Sequence, residues 1–564
     1  MKKAVQMSFW RFWVLGGMLI ILPCALAWHL ANLQVVPSAD KGFEFLQSEG
    51  EARTLRSEML SAYRGVITDR NGELLAVSTP VTSIYANPEL LDENEFVALA
   101  SALDIPVSQL RDRVEVYENK QFMYLARHLP PQQADKILEQ KFSGVAAETE
   151  YRRYYPAGEV AAHVVGFTDL DDHGQEGIEL AFDEHLAGAM GYKRVLKDLK
   201  GNIVKEKGVL KAPVAGKELR LSLDLRLQYL AYKELKAAVN KQKAKSGSVV
   251  LLDVRSGEIL AMVNQPSYNP NDRSHLRSEQ IRNRAITDVF EPGSTVKPLT
   301  VMAALETGRY TPEHVIDTSP GYVMVGKKAL LDPKDYGRLS ITKIITKSSQ
   351  VGITKLALDI EPRDIRELFF RAGMGQSTGM GFPGESVGVL PTRDRWLPIE
   401  TATLAFGYGL NVNAVQLAQA YAMIADKGNF KHASLLRSDD QHVESQVVSK
   451  SVAQSVIEML KTVPRAGGTA TRAQIDAYPV AGKTGTSHKI GVDGYAEDRH
   501  FALFAGFSPA DNPEVVAVIV INEPTDGKYF GGEAAAPVFA SIVEGALKIL
   551  RVPPQADAAY VVGL

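Results

Sequence analysis

Pro298 limits what the middle of this chain can fold into. A proline has no N–H and is tolerated only in the first turn of a helix, where that donor has no partner anyway. The apolar run Leu299, Val301, Met302 and Leu305 must therefore start its helix near Ser294, after the Pro292-Gly293 turn, and Gly308 ends it. Ser294 then sits at the positive end of the helix dipole, where developing negative charge is stabilised. Lys297, three residues on, lies on the same helical face. A buried lysine at that spacing can lose its proton and take one from the serine, the chemistry of a nucleophile that forms an acyl-enzyme. A serine and a lysine three apart are common, so the pair gains weight only from partners downstream.

Two such partners follow in order. Ser348-Ser349-Gln350 ends a short helical run begun near Ser340, and Gly352 is expected to free the backbone after it. A hydroxyl and an amide there pass a proton to a leaving amine and hold a substrate amide. Alone, the segment reads as a polar helix end. Lys483-Thr484-Gly485-Thr486 follows Ala481-Gly482. Glycine in a strand is a cost unless something approaches the backbone closely, and the expectation is a substrate pairing along a strand edge. Thr484 and Thr486 share one face by the two-residue period, and with the charge of Lys483 they form a site for a terminal carboxylate.

Other patterns fail on context. Gly384-Glu-Ser386-Val-Gly388 has the letters of a hydrolase nucleophile elbow, but no strand precedes it and Pro391 stands where a helix should run. Gly373 to Gly379 has one residue too many for a dinucleotide loop. The histidines lack metalloprotease spacing, so neither a catalytic metal nor a cofactor is expected.

At 564 residues the chain should hold two or three domains. A net charge of −3, from 63 basic and 66 acidic residues, argues against a nucleic-acid surface. Phe12 to about Leu30 is continuously apolar and reaches roughly 28 Å as a helix, close to the hydrocarbon thickness of a bilayer. Lys2, Lys3 and Arg11 precede it, Trp10, Trp13 and Trp28 suit its interfaces, and the positive-inside rule puts everything after Leu30 outside the cytoplasm. Ala25-Leu26-Ala27 offers a signal-peptide cleavage site, but the apolar run continues past it, which favours a retained anchor. Cys24, the single cysteine, lies within this span, and Pro23 before it argues against lipid modification; an intramolecular disulfide is excluded.

Beyond the anchor, 34–62 reads as a polar stalk, and two β-rich runs flank Asn71-Gly72, a hairpin signal. Residues 91–140 have helical periodicity. The Gly-rich block from Arg153 to Glu179 reads as turn and packing residues. A new domain begins near Leu219: Asp224 caps a helix, Val249–Val254 and Ile259–Val263 form a hairpin, and three strands follow far downstream at Val480–Thr486, Phe501–Phe507 and Val515–Ile521. A helix from about Pro537 to Leu550 comes last, and 290–470 is mainly helical by period. The architecture expected is α+β, one antiparallel sheet closed by both ends of the domain and packed against helices.

With all these motifs in place, the chain resembles the class B penicillin-binding proteins, specifically the septal D,D-transpeptidase type called penicillin-binding protein 3. The resemblance extends through Arg64-Gly65, Asp69-Arg-Asn-Gly72, Tyr155-Pro-Ala-Gly158, Gly174 to Glu179, Phe290 to Pro298, Phe382-Pro-Gly-Glu385, Tyr408-Gly409 and Tyr529-Phe530-Gly-Gly532. It implies an anchor at 1–33, a pedestal of the dimerisation type at 34–218 and a transpeptidase domain at 219–564. It implies that Ser294 attacks the D-Ala-D-Ala bond of peptidoglycan stem peptides, that Lys297, Ser348 and Lys483 serve the catalysis, and that β-lactams acylate Ser294. Ser349, Gln350, Thr484, Gly485, Thr486, Tyr408, Tyr529 and Phe530 would contact substrate. It further implies a single-pass protein of the bacterial inner membrane, periplasmic in its catalytic part, at the division septum, with septal partners including a polytopic glycosyltransferase. The family's second motif normally ends in asparagine; Gln350 displaces that amide by one methylene, roughly 1.5 Å. A D,D-carboxypeptidase, a β-lactamase and a β-lactam-binding division scaffold with weak catalysis are the alternatives.

Overall fold

The computed structural model describes residues 9–34, 45, 55–197, 203–437, 445–491 and 494–555. The cationic Lys2-Lys3 tail and much of the expected stalk lie outside them. Helix α1, Phe9–Gln34, contains the whole apolar span and is long and apolar enough to cross a membrane. Its Trp10, Trp13 and Trp28 are exposed, as lipid-facing side chains would be.

The chain forms two compact units that interleave along the sequence. The smaller comprises 1–63, 80–152 and 188–215. In it, strands Leu55–Leu60, Gly191–Lys197 and Ile203–Lys211 make an antiparallel sheet in that order. A separate apolar core of Ile84, Leu99, Leu110, Leu125 and Ile137 gathers beneath helices Phe96–Ala102 and Val107–Val116. The periodicity of 91–140 identified these helices and missed the strand Met123–Leu129 between them and the next.

The larger unit comprises 64–79, 153–187 and 216–564. Its first segments hold the predicted hairpin turn: Asp69 accepts from the backbone N–H of Asn71 and Glu73, and Gly72 closes the turn back to Asp69. Arg64 and Arg153, both buried, donate to opposite oxygens of the buried Glu179 at 2.6 and 2.7 Å. Paired on both sides, that carboxylate is satisfied in the interior, and these polar residues pack rather than react.

The core of the larger unit follows. Helix α2, Leu225–Lys241, starts at Asp224, whose carboxylate accepts from Arg226 N. Strands β1, Ser246–Asp253, and β2, Ile259–Gln265, form the expected hairpin. Then come α3, Lys297–Glu306; α4, Ile341–Lys347; α5, Gln350–Leu358; and α6, Ala414–Ala425. Strands β3, Ala481–Gly491, β4, Gly494–Ser508, and β5, Val515–Asn522, precede the last helix α7, Ala536–Ile549. The sheet order is β2-β1-β5-β4-β3 and every pairing is antiparallel, with both ends of the domain closing it as expected. Helices α2 and α7 pack on each other and on the sheet, and the wholly buried α6 packs on β1 and β5. All eight residues of β5 are buried, which is why its sequence is a continuous apolar run instead of an alternation.

The expectation that 290–470 is mainly helical was too broad. Val315–Asp317 pairs with Arg338–Ser340, and Tyr322–Val325 with Lys328–Leu331, as two small sheets. Their strands of three or four residues are too short to set a period against the helices around them.

Candidate active site

Ser294 lies in the 3-10 turn Gly293–Val296, and α3 proper begins at Lys297 with Pro298 in its first turn. The helix start required by Pro298 is thus real, with the serine one tight turn ahead of it. Ser294 is half-buried, whereas Lys297 is only 2 % exposed.

The second motif differs from its sequence reading. Helix α4, capped by the Ser340 hydroxyl, stops at Ser348, which adopts a left-handed conformation with φ 58° and ψ 37°. Ser349 then caps a new helix, accepting from Gly352 N, and Gln350 is the first residue of α5 rather than the end of the preceding run. Gly352 does not loosen the chain. It is helical, and a Cβ there would lie 2.6 Å from the Ile344 side chain, so glycine allows α5 to cross close to α4. The left-handed backbone at Ser348 is uncommon for a residue with a Cβ. It turns the chain sharply between two helices and presents both the Ser348 carbonyl and its hydroxyl to Lys297, whose Nζ donates to them at 2.7 and 3.3 Å.

Lys483 reaches the same hydroxyl from the opposite side. It sits on β3, the edge strand of the sheet, fully buried, and its Nζ donates to Ser348 Oγ at 2.9 Å and to Thr484 O at 3.2 Å. The three motifs therefore meet at one oxygen. Burial pushes Lys297 down to about 7, against the opposing pull of the Asp332 carboxylate. Burial, helped by the positive charge of Lys297, pushes Lys483 well below the ordinary lysine range. Neither ammonium donates to Ser294 Oγ; both converge on Ser348.

Lys483 was expected to lend its charge to a carboxylate beside Thr484 and Thr486, but its side chain points inward. The two hydroxyls lie on the other face of β3. Thr484 Oγ1 is 2.8 Å from Thr469 Oγ1, and Thr486 Oγ1 accepts from Gly531 N at 3.1 Å. The close approach expected at the motif's glycine is also present, made by the protein itself. A Cβ on Gly485 would lie 2.8 Å from the Thr295 side chain and 2.9 Å from Pro292 O, so β3 lies directly against the turn carrying Ser294. Gly485→Ala must push that turn away, and we expect it to slow penicillin acylation by roughly tenfold to a hundredfold. It should also cost about 1–3 kcal/mol in chemical denaturation, as overpacking does.

Three aromatic positions flank this core. Tyr408 packs edge-on against Phe406 and Tyr495, with ring centroids 5.7 and 5.5 Å away. Tyr529 and Phe530, 37 % and 53 % exposed, lie against each other at 4.4 Å, one residue before the Gly531 that binds Thr486.

The chain matches the family described as Penicillin binding protein transpeptidase domain over 247–544 and the Penicillin-binding Protein dimerisation domain over 59–221. It is 42 % identical over 554 residues to the peptidoglycan D,D-transpeptidase FtsI of Escherichia coli K12, covering 97 % of this chain and 93 % of that one. The chain belongs to the class B penicillin-binding proteins. A probable peptidoglycan D,D-transpeptidase, PbpC of Pseudomonas aeruginosa, is 40 % identical and covers 97 % of both chains. Among solved structures, penicillin-binding protein 3 of Mycobacterium tuberculosis, complexed with aztreonam, aligns with a TM-score of 0.69 at 28 % identity, covering 88 % of this chain and 98 % of that one. Membership of the penicillin-binding proteins brings with it the serine-type transpeptidase domain.

Sequence reasoning missed Asp332 and Glu291. Asp332, just beyond Lys328–Leu331, accepts from the Ser349 hydroxyl and from the N–H groups of Gln350 and Val351, capping α5. It is also the carboxylate opposite Lys297 in charge. It follows directly after a short strand hidden in a helical region, and no spacing rule points to it. Glu291 accepts from Gly409 N and the Tyr495 hydroxyl, tying together the turn before Ser294, the Tyr408 loop and β4.

Gln350 is half-buried, and among the described residues its side-chain amide has no hydrogen-bond partner; its backbone N–H is tied to Asp332. Its amide is thus available to a ligand. Gln350→Asn is expected to fold normally and to accelerate penicillin acylation by less than about tenfold, because the shorter side chain need not fold back to meet a ligand amide. Gln350→Ala should slow it by about tenfold, leaving a ligand amide unpaired at a cost of about 1–3 kcal/mol. Equal rates in all three proteins would reduce Gln350 to a helix start.

Proposed function

We propose that this chain is a peptidoglycan D,D-transpeptidase that cross-links stem peptides of the septal wall and is acylated by β-lactams. The observation that carries the reading is the convergence of two buried lysines with lowered proton affinity on Ser348 Oγ, beside Ser294, in a chain of this family. Ser294 Oγ attacks the carbonyl of the D-Ala-D-Ala bond. Its proton passes through Lys297 and Ser348 to the nitrogen of the departing D-alanine as the C–N bond breaks. An amine of a neighbouring stem peptide then takes the acyl group and regenerates the Ser294 hydroxyl. Thr484 and Thr486, on the face of β3 opposite Lys483, receive the donor's terminal carboxylate. Gly485 keeps the strand against the nucleophile turn, Ser349 and Gln350 frame the donor amide, and Tyr408, Tyr529 and Phe530 wall the cleft.

In this reading residues 1–33 are a retained anchor, 34–218 a pedestal and 219–564 the transpeptidase domain. The anchor leaves the catalytic part on the periplasmic side of the inner membrane, at the division septum. Septal partners, including a polytopic glycosyltransferase, contact the anchor and pedestal. The test is intact mass and peptide mapping of the purified chain after incubation with penicillin. One adduct on the peptide containing Ser294, persisting for many minutes, is expected. An adduct elsewhere, or rapid hydrolysis of the penicillin, would refute the reading, the latter in favour of a β-lactamase.

A further inference from the structure

Two histidines twelve residues apart in sequence are brought side by side by the β3–β4 register, in which His488 pairs directly with His500. Their ring centroids are 4.5 Å apart. His488 Nδ1 lies 3.0 Å from Ala496 O. A carbonyl only accepts, so Nδ1 carries the hydrogen and Nε2 keeps a free lone pair. This is the tautomer that a backbone carbonyl imposes on a metal-ligating histidine. His500 is largely buried, yet among the described residues neither of its ring nitrogens has a hydrogen-bond partner. Its ring is held by Tyr529, stacked on it at 4.4 Å and 20°, which leaves the ring edge as the route to its nitrogens.

From this arrangement we propose that His488 and His500 form a binding site for a divalent transition-metal ion of the zinc type. Imidazole nitrogens bind Zn²⁺ at about 2.0–2.1 Å, and two rings at this separation can aim one nitrogen each at a shared ion. The Asp498 carboxylate is close enough to His500 to favour a cation there. No cluster of three or more His, Cys, Asp or Glu side chains exists among the described residues, so the pair supplies two ligands. The remaining positions are open to water or to a carboxylate from a bound molecule. That second possibility matters because of place: His488 is two residues beyond Thr486 on the same face of β3, about 7 Å along the strand. An ion here lies between the Thr484–Thr486 face and the Tyr529–Phe530 wall.

The test is titration of the full-length chain, in detergent and without a histidine tag, with Zn²⁺ followed by calorimetry and with Co²⁺ followed by visible absorption. Wild type, His488→Gln and His500→Gln are compared, with thermal melts in the absence of metal to verify folding. One saturable equivalent is expected in the wild type, weakened at least about tenfold by either substitution. The double variant should bind no more weakly than the single ones, since one imidazole alone does not make the site. Absence of saturable binding by the wild type, or binding equal in wild type and folded single variants, overturns the proposal.

Discussion

Ser294→Ala is expected to form no covalent adduct with penicillin at any time or concentration, while melting close to the wild-type temperature. Both halves of that expectation come from the site. The hydroxyl is half-buried and has no hydrogen-bond partner among the described residues, so its removal strands no buried partner there and should have little effect on stability. The 3-10 turn that holds it is fixed by other contacts: Gly293 N donates to Gly407 O at 3.0 Å, Thr295 Oγ1 to Pro292 O at 2.7 Å, and Tyr421 OH to Thr295 O at 2.7 Å. The cleft therefore survives and should still bind penicillin reversibly. What is lost is the proposed nucleophile, and neither nearby lysine can substitute, because both are buried and turned toward Ser348. Intact mass spectrometry measures the adduct. An adduct unchanged from wild type would end the assignment of Ser294 as nucleophile.

How much of this was legible in the sequence depended on whether local chemistry or distant packing decided each feature. Pro298 has one permitted place in a helix, so the position of Ser294 at a helix start could be read from a single residue. The sheet was equally readable, since buried strands such as β5 are long apolar runs bounded by turns. The inner orientation of Lys483 was not. Alternation along β3 puts Lys483 and Thr484 on opposite faces, but only the fold says which face meets Ser348. Gly485 signals a close approach, yet the sequence does not say what approaches, and it is the protein itself; Gly352, read as freeing the backbone, instead makes room for Ile344. The break at Ser348 was hidden for a different reason. A left-handed residue that is not glycine carries no compositional mark, so two helices joined there read as one helical run and its end. Asp332 stands at the end of a strand too short for any periodicity, and the His488–His500 pair exists only through cross-strand register.

Lys297→Arg is expected to slow acylation by penicillin by about 10²–10⁴-fold and to remove its rise with pH. The substitution keeps a cation close to Ser348 and the Asp332 carboxylate, so it isolates the ability to give up a proton. Burial brings Lys297 down to about 7, so its neutral fraction grows as pH rises through that value. If neutral Lys297 accepts the Ser294 proton, wild-type acylation at low penicillin concentration falls about tenfold per pH unit below 6 and levels off above 8. Lys297 and Lys483 share one hydroxyl, and each disfavours charge on the other, so the midpoint belongs to the pair and not to one lysine. A guanidinium remains protonated throughout this range and cannot act as base. Arginine is also larger than lysine in a site only 2 % exposed, so folding must be checked by thermal melting alongside the rates. The decisive measurement is the pH profile of acylation in both proteins between pH 5.5 and 9. A folded Lys297→Arg protein that is slow but keeps the wild-type midpoint would show that another group titrates there. Lys297 would then be a positioning residue for Ser348, with Lys483 the stronger candidate for the base.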